Sequence, residues 1–86
     1  TRQRIGYVPA DLKFPDRMTS IDYLDFVGRL CGMMRTARRA RLAYLLRAAD
    51  LVADSSQSIR FLSTGMRTRL AIAASLMHDP ELLIWD

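Results

Sequence analysis

The feature that most constrains this chain is its C-terminal quarter. Leu62-Ser63-Thr64-Gly65-Met66 is a small polar loop with one glycine. It opens an Ala/Leu-rich run, Arg67-Thr68-Arg69-Leu70-Ala71-Ile72-Ala73, which Pro80 brings to a stop. Leu82 to Trp85 is then apolar at every position and runs straight into Asp86. The pattern predicts a helix capped by Ser63 or Thr64 and ending near His78. After it comes a strand buried on both faces of a parallel sheet. The first N–H groups of such a helix lack partners, carry partial positive charge and suit phosphate oxygens. Ser63 adds a hydroxyl there, and Gly65 lets a ligand approach the backbone. A carboxylate at the end of a buried strand is placed for Mg²⁺, usually through water.

The rest of the chain reads as one strand and two more helices. Arg4 to Val8 is a short strand, Pro9 stops it, and Ala10 to Arg17 is a loop punctuated by Pro15. Thr19 is positioned to cap a helix, with Asp22 three residues on, close to a capping box. That helix runs to about Leu30 or Met34. Ile21, Leu24, Val27 and Cys31 share its face, and Tyr23, Phe26 and Leu30 widen it. Gly28 and Gly32 weaken its last turns. Thr36 is expected to cap a second helix, about Ala37 to Ala49, with Leu42, Leu45, Leu46 and Ala49 as its apolar stripe. Arg38, Arg39, Arg41 and Arg47 fall largely off that stripe. Asp50 to Ser58 is a polar connection. The small residues Ala71, Ala73, Ala74 and Ser75 permit close approach of the third helix to another backbone. A strand, several helices and a strand make a βαβ crossover with a helical insertion.

With 86 residues, half of them hydrophobic, the chain can form one small domain. Its first residue is Thr1 and its last is the metal-suited Asp86, so both ends are expected to be cuts within a larger protein. No apolar run approaches a membrane span, and no secretory leader is seen. The single cysteine, Cys31, excludes an internal disulfide framework, fits a reducing cytoplasm and is expected in the core. The net charge of +4 is read as a solvated charged face.

These motifs together resemble the ATP-binding domain of ABC transporters. Leu-Ser-Thr-Gly-Met is similar to the ABC signature, commonly Leu-Ser-Gly-Gly-Gln. Leu82 to Asp86 resembles a Walker B strand. Ile5-Gly6-Tyr7-Val8-Pro9 resembles the strand that leads into the Q-loop. The form Ser-Thr-Gly-Met-Arg, with His78-Asp79-Pro80-Glu81 downstream, is most like the ABC-2 type exporters. The resemblance covers nearly the whole chain and implies an α/β fold of the P-loop NTPase class, mainly helical subdomain between two parallel strands. Residues 1–17 would be the Q-loop strand and loop, 18–61 the helical subdomain, and 62–86 the signature motif, its helix and Walker B.

The functional implications follow residue by residue. Ser63, Thr64, Gly65 and Met66 would contact the γ-phosphate of ATP held by the opposite subunit of a head-to-tail dimer. Asp86 would serve Mg²⁺. Pro9, Ala10 and Asp11 would form the Q-loop region. Three positions depart from the family pattern. Thr64 stands where Gly is common, Met66 replaces Gln, and Ala10 stands where the family has Gln, or sometimes Glu, and can neither ligate Mg²⁺ nor orient water. Asp11 is adjacent but one residue out of register. No residue here makes a Gly-x-x-x-x-Gly-Lys-Ser/Thr loop, and the catalytic Glu would follow Asp86. The full-length protein would therefore be an ATPase and these residues alone inactive. It would sit peripherally on the cytoplasmic face of the membrane, through a transmembrane permease, with no nucleic acid as partner. The competing readings are a soluble ABC-type ATPase acting on ribosomes or DNA, and a basic helical module that binds DNA phosphates through Arg35, Arg38, Arg39 and Arg41.

Overall fold

A computed structural model describes residues 15–77. The expected strands Arg4–Val8 and Leu82–Trp85 lie outside these residues, and among the described residues there is no strand. Three helices, α1 (Ser20–Leu30), α2 (Arg35–Ala48) and α3 (Thr64–Ser75), pack pairwise around a core of leucines, Ile59 and Met77. Leu24, Leu51, Ile59, Leu70 and Met77 have no solvent exposure.

Each boundary has a local cause. Thr19 caps α1 as expected, its Oγ1 accepting from the Asp22 N–H at 3.1 Å. The helix ends in a Schellman turn. The N–H of Gly32 donates to Arg29 O at 3.0 Å and that of Met33 to Gly28 O at 3.0 Å, with Gly32 at φ +77°. This turn leaves Met34, in extended conformation, as the N-cap of α2. Thr36 is therefore inside the first turn and is not the cap, and α2 starts at Arg35 rather than Ala37. A second turn of the same kind closes α2. Asp50 N–H donates to Arg47 O and Leu51 N–H to Leu46 O, with Asp50 taking φ +59°. α3 ends at Ser75, its last carbonyls met by the N–H groups of Leu76 and Met77.

The polar connection carries two core anchors, Leu51 and Ile59, around short 3₁₀ turns at Val52–Asp54 and Ile59–Phe61. It is laced to the entrance of α1. Thr19 and Ser58 form an antiparallel bridge, Ile59 N–H donates to Met18 O at 2.8 Å, and Ile21 N–H donates to Ser55 O at 3.3 Å. The segment that enters α3 is thus fixed to the start of α1.

The expected face of α1 is narrower in the structure. Leu24 is buried and Ile21, Tyr23 and Val27 pack partly, but Phe26, Leu30 and Cys31 are exposed. Phe26 lies about 160° around the helix from Leu24, opposite the side that α2 and α3 cover. Cys31 has the right phase for burial, but it is the C-cap, where the chain has already left the helix. The expectation of a core cysteine is overturned.

Candidate functional site

The N-terminus of α3 is an exposed, open helix end. Ser63 is its N-cap, and the Ser63 Oγ accepts from the Met66 N–H at 3.1 Å. The Ser63 carbonyl accepts from Arg67 N–H at 2.9 Å. Thr64 and Gly65 follow as the first helical positions, and among the described residues their N–H groups meet no acceptor. Because Ser63 Oγ acts as acceptor toward the helix, its hydroxyl hydrogen remains available to a ligand. No acidic residue stands in the first turn to offset the partial positive charge. Leu62 and Leu70 are buried and anchor the segment, while Ser63, Thr64 and Gly65 face solvent and Met66 packs partly on the core.

Neither Thr64 nor Gly65 has positive φ, so a threonine in place of glycine introduces no backbone strain. A Cβ built on Gly65 would come no nearer to another side chain than 4.0 Å, to Nη1 of Arg69. Internal packing among the described residues does not require glycine there. An anion can approach the open N–H groups from solvent, so the chemistry of this end fits a phosphate.

The arginines are the part that the sequence reading missed. Arg38 and Arg41 lie inside, not on a solvated face. Arg38 Nε donates to Asp25 Oδ1 at 2.6 Å, and its Nη1 donates to Met33 O at 3.1 Å. The Arg38 hydrogen bond, aided by Arg29 at 3.1 Å, holds the Asp25 carboxyl below its usual range. Arg38 fits because position 28 is glycine. A Cβ there would meet Arg38 Cγ at 2.6 Å, Arg38 Cδ at 2.8 Å and Met77 Cε at 2.9 Å. Arg41 donates through Nη1 to the Leu76 and Met77 carbonyls at the end of α3. Arg69 Nε in turn donates to Ala49 O, the C-cap carbonyl of α2, at 2.8 Å. A usable signal did exist. Arg38, Arg41, Leu42 and Leu45 recur at helical spacing, so two arginines share the phase of the leucine stripe.

Of the other candidate residues, Pro9, Ala10, Asp11 and Asp86 lie outside the described residues, as do His78 and Glu81. No group of three His, Cys, Asp or Glu side chains is placed to hold a metal among the described residues. Among those residues, too, no helix is long and apolar enough to cross a membrane.

Comparison with known proteins covers every residue. The sequence matches the ABC transporter family over residues 1–86. It is similar to the linearmycin resistance ATP-binding protein LnrL of Bacillus subtilis (strain 168), at 35% identity over 99% of this chain and 27% of the relative. A Nod factor export ATP-binding protein I of Ralstonia nicotianae (strain ATCC BAA-1114 / GMI1000) is 36% identical over 99% of this chain and 26% of the relative. The ABC transporter ATP-binding protein NatA of Bacillus subtilis (strain 168) is 34% identical over 99% of this chain and 35% of the relative. The chain thus spans about a quarter of the length of the first two of these relatives.

Proposed function

The chain belongs to the ABC transporter family, of the P-loop NTPase class, and from that membership we propose that it supplies the helical subdomain and signature loop of an ATP-binding subunit that powers a membrane exporter. The family's ATP-binding proteins are ATPases that work with a transmembrane permease. The observation that carries the proposal is the end of α3, where Ser63, Thr64 and Gly65 are exposed and, among the described residues, the Thr64 and Gly65 N–H groups are open and nothing packs on the glycine. A helix end that offers donors and leaves a glycine bare to solvent serves a partner-borne anion better than it serves its own fold.

In this reading two subunits meet head to tail on the cytoplasmic side of the membrane. The N–H groups of Thr64 and Gly65 and the Ser63 hydroxyl donate to the γ-phosphate of ATP held by the opposing subunit. Met66 anchors the loop from below. Closure of the pair excludes water and completes the electrostatic setting for phosphoryl transfer. Asp86 would hold Mg²⁺ through water, and Pro9, Ala10 and Asp11 would form the Q-loop region. Mg²⁺ neutralises charge on the phosphates when bound. The names of two relatives, one of resistance and one of Nod factor export, support outward transport. The inward placement of Arg38 and Arg41 removes two of the four cations on which a basic DNA-binding helix would depend.

The test is ATP-dependent pairing. Light scattering of the intact ATP-binding subunit, under conditions that slow hydrolysis, should show a dimer with MgATP and a monomer without it. Ser63→Ala should bind ATP as the parent does and pair more weakly. ATP-induced pairing unchanged by substitution throughout Ser63–Gly65 would contradict the proposal.

A further inference from the structure

The two long helices behind the exposed end of α3 are tied by a reciprocal pair of arginines. Arg41, from the middle of α2, donates to the carbonyls of Leu76 and Met77 at the end of α3. Arg69, from the middle of α3, donates to the carbonyl of Ala49 at the end of α2. The helices therefore run antiparallel along this seam, and each C-terminal partial charge meets a guanidinium from the other helix. The two ties are not alike. Arg41 is 6% exposed and packs within the core side of the seam. Arg69 is exposed and lines an open apolar groove between the helices that extends along Ala49, Ile72 and Ala73 to Leu76. The hydrogen bond to Ala49 is a direct link between α3 and α2 there.

Arg69 is also one turn after Gly65, and its Nη1 is 4.0 Å from the point where a Gly65 Cβ would be. Its guanidinium thus spans from the Gly65 face of α3 to the C-cap of α2. We propose that Arg69 is a positioning residue for the loop Ser63–Gly65, setting the direction of its open N–H groups by fixing α3, one turn after Gly65, to the end of α2. This inference rests on the reading of that loop as the phosphate-contacting signature. A displacement of donors by about an ångström can cost a large factor in rate while leaving ground-state binding intact. Arg69 touches no reacting atom in this account. It acts through Thr64 and Gly65.

The experiment compares Arg69→Met, Arg69→Lys and Gly65→Asp in the intact ATP-binding subunit, by ATP turnover at saturating ATP, ATP affinity and melting temperature. Arg69→Met is expected to lose about tenfold in turnover, with ATP affinity within about twofold of the parent. Arg69→Lys keeps a cation and a donor on a flexible stem and should recover most of the loss. Parental turnover in Arg69→Met, alongside lost turnover in Gly65→Asp, overturns the positioning role and leaves the signature reading standing. Parental turnover in Gly65→Asp as well removes the signature reading itself. If the Met and Lys variants lose turnover equally and both melt early or fail to fold, the residue is structural and the inference is overturned.

Discussion

Gly28 and Gly65 both sit in helices at negative φ, yet their surroundings are opposite. At Gly28 a single added carbon would strike two atoms of Arg38 and one of Met77, all within 2.9 Å. At Gly65 the same carbon would meet nothing closer than 4.0 Å among the described residues. The first glycine is explained by the fold that surrounds it, since the Arg38 stem and the Met77 methyl occupy the space. The second has no such explanation among the described residues. A helix prefers almost any residue to glycine by about 0.3–1 kcal/mol. A bare, exposed glycine in a first turn is what the proposed approach of a phosphate to the backbone would require. The contrast separates residues that hold the helices together from residues that the helices present.

The largest stability effect should come from the packed region. Arg38→Ala removes both the stem and the ion pair, and should cost about 2–3 kcal/mol in urea denaturation of the intact subunit. Gly28→Ala should cost about 1–3 kcal/mol by overpacking. In the Arg38→Ala background two of the three close contacts are gone, so the same change should become nearly neutral. Additive costs in that cycle would break the explanation of Gly28.

The ion pair gives a pH signature. The Asp25 pKa is lowered in the folded state, mainly by its hydrogen bond from Arg38. Its contribution is therefore full above the unfolded carboxylate pKa of about 3.9 and is lost as pH falls through the folded value. The stability difference between the parent and Asp25→Asn should be flat from neutral pH down to about 5 and shrink below about 4. A difference that grows on acidification would contradict the pairing.

A smaller effect belongs to the turn after α2. Asp50 takes φ +59°, where glycine is at ease, and puts a negative charge at the negative end of the helix. Asp50→Gly should stabilise by about 0.5–1 kcal/mol in the same denaturation assay. The stability change at Gly65→Ala should be of similar or smaller size, within about 1 kcal/mol of the parent and tending to stabilise, since among the described residues neither space nor φ opposes an alanine.

What the sequence disclosed, and what it hid, follows from the range of the interactions. The caps at Thr19 and Ser63 were legible because the hydroxyl and the N–H it accepts are three residues apart. The three helices were legible from spacing. The start of α2 was misread because its cap is set by the turn at Gly32, which places Met34 before the helix whatever hydroxyl follows. Cys31 was misread because periodicity carries no mark of where a helix ends. Arg38 and Arg41 were assigned to solvent on polarity, although their phase matched the leucines. Their partners, Asp25 and the carbonyls of Leu76 and Met77, lie 13 to 36 residues away, beyond any local pattern. The exposed loop Ser63–Gly65 was legible as a helix start, but its bareness required the packing around it.

The claim that the end of α3 is shaped for a ligand rather than for its own fold is tested most directly at Gly65. The measurement pairs melting temperature and ATP affinity with ATP turnover for Gly65→Asp in the intact ATP-binding subunit. The account predicts a folded subunit with parental ATP affinity and turnover reduced by an order of magnitude or more, as an added carboxylate blocks and repels the phosphate. Normal turnover in that well-folded variant would contradict it.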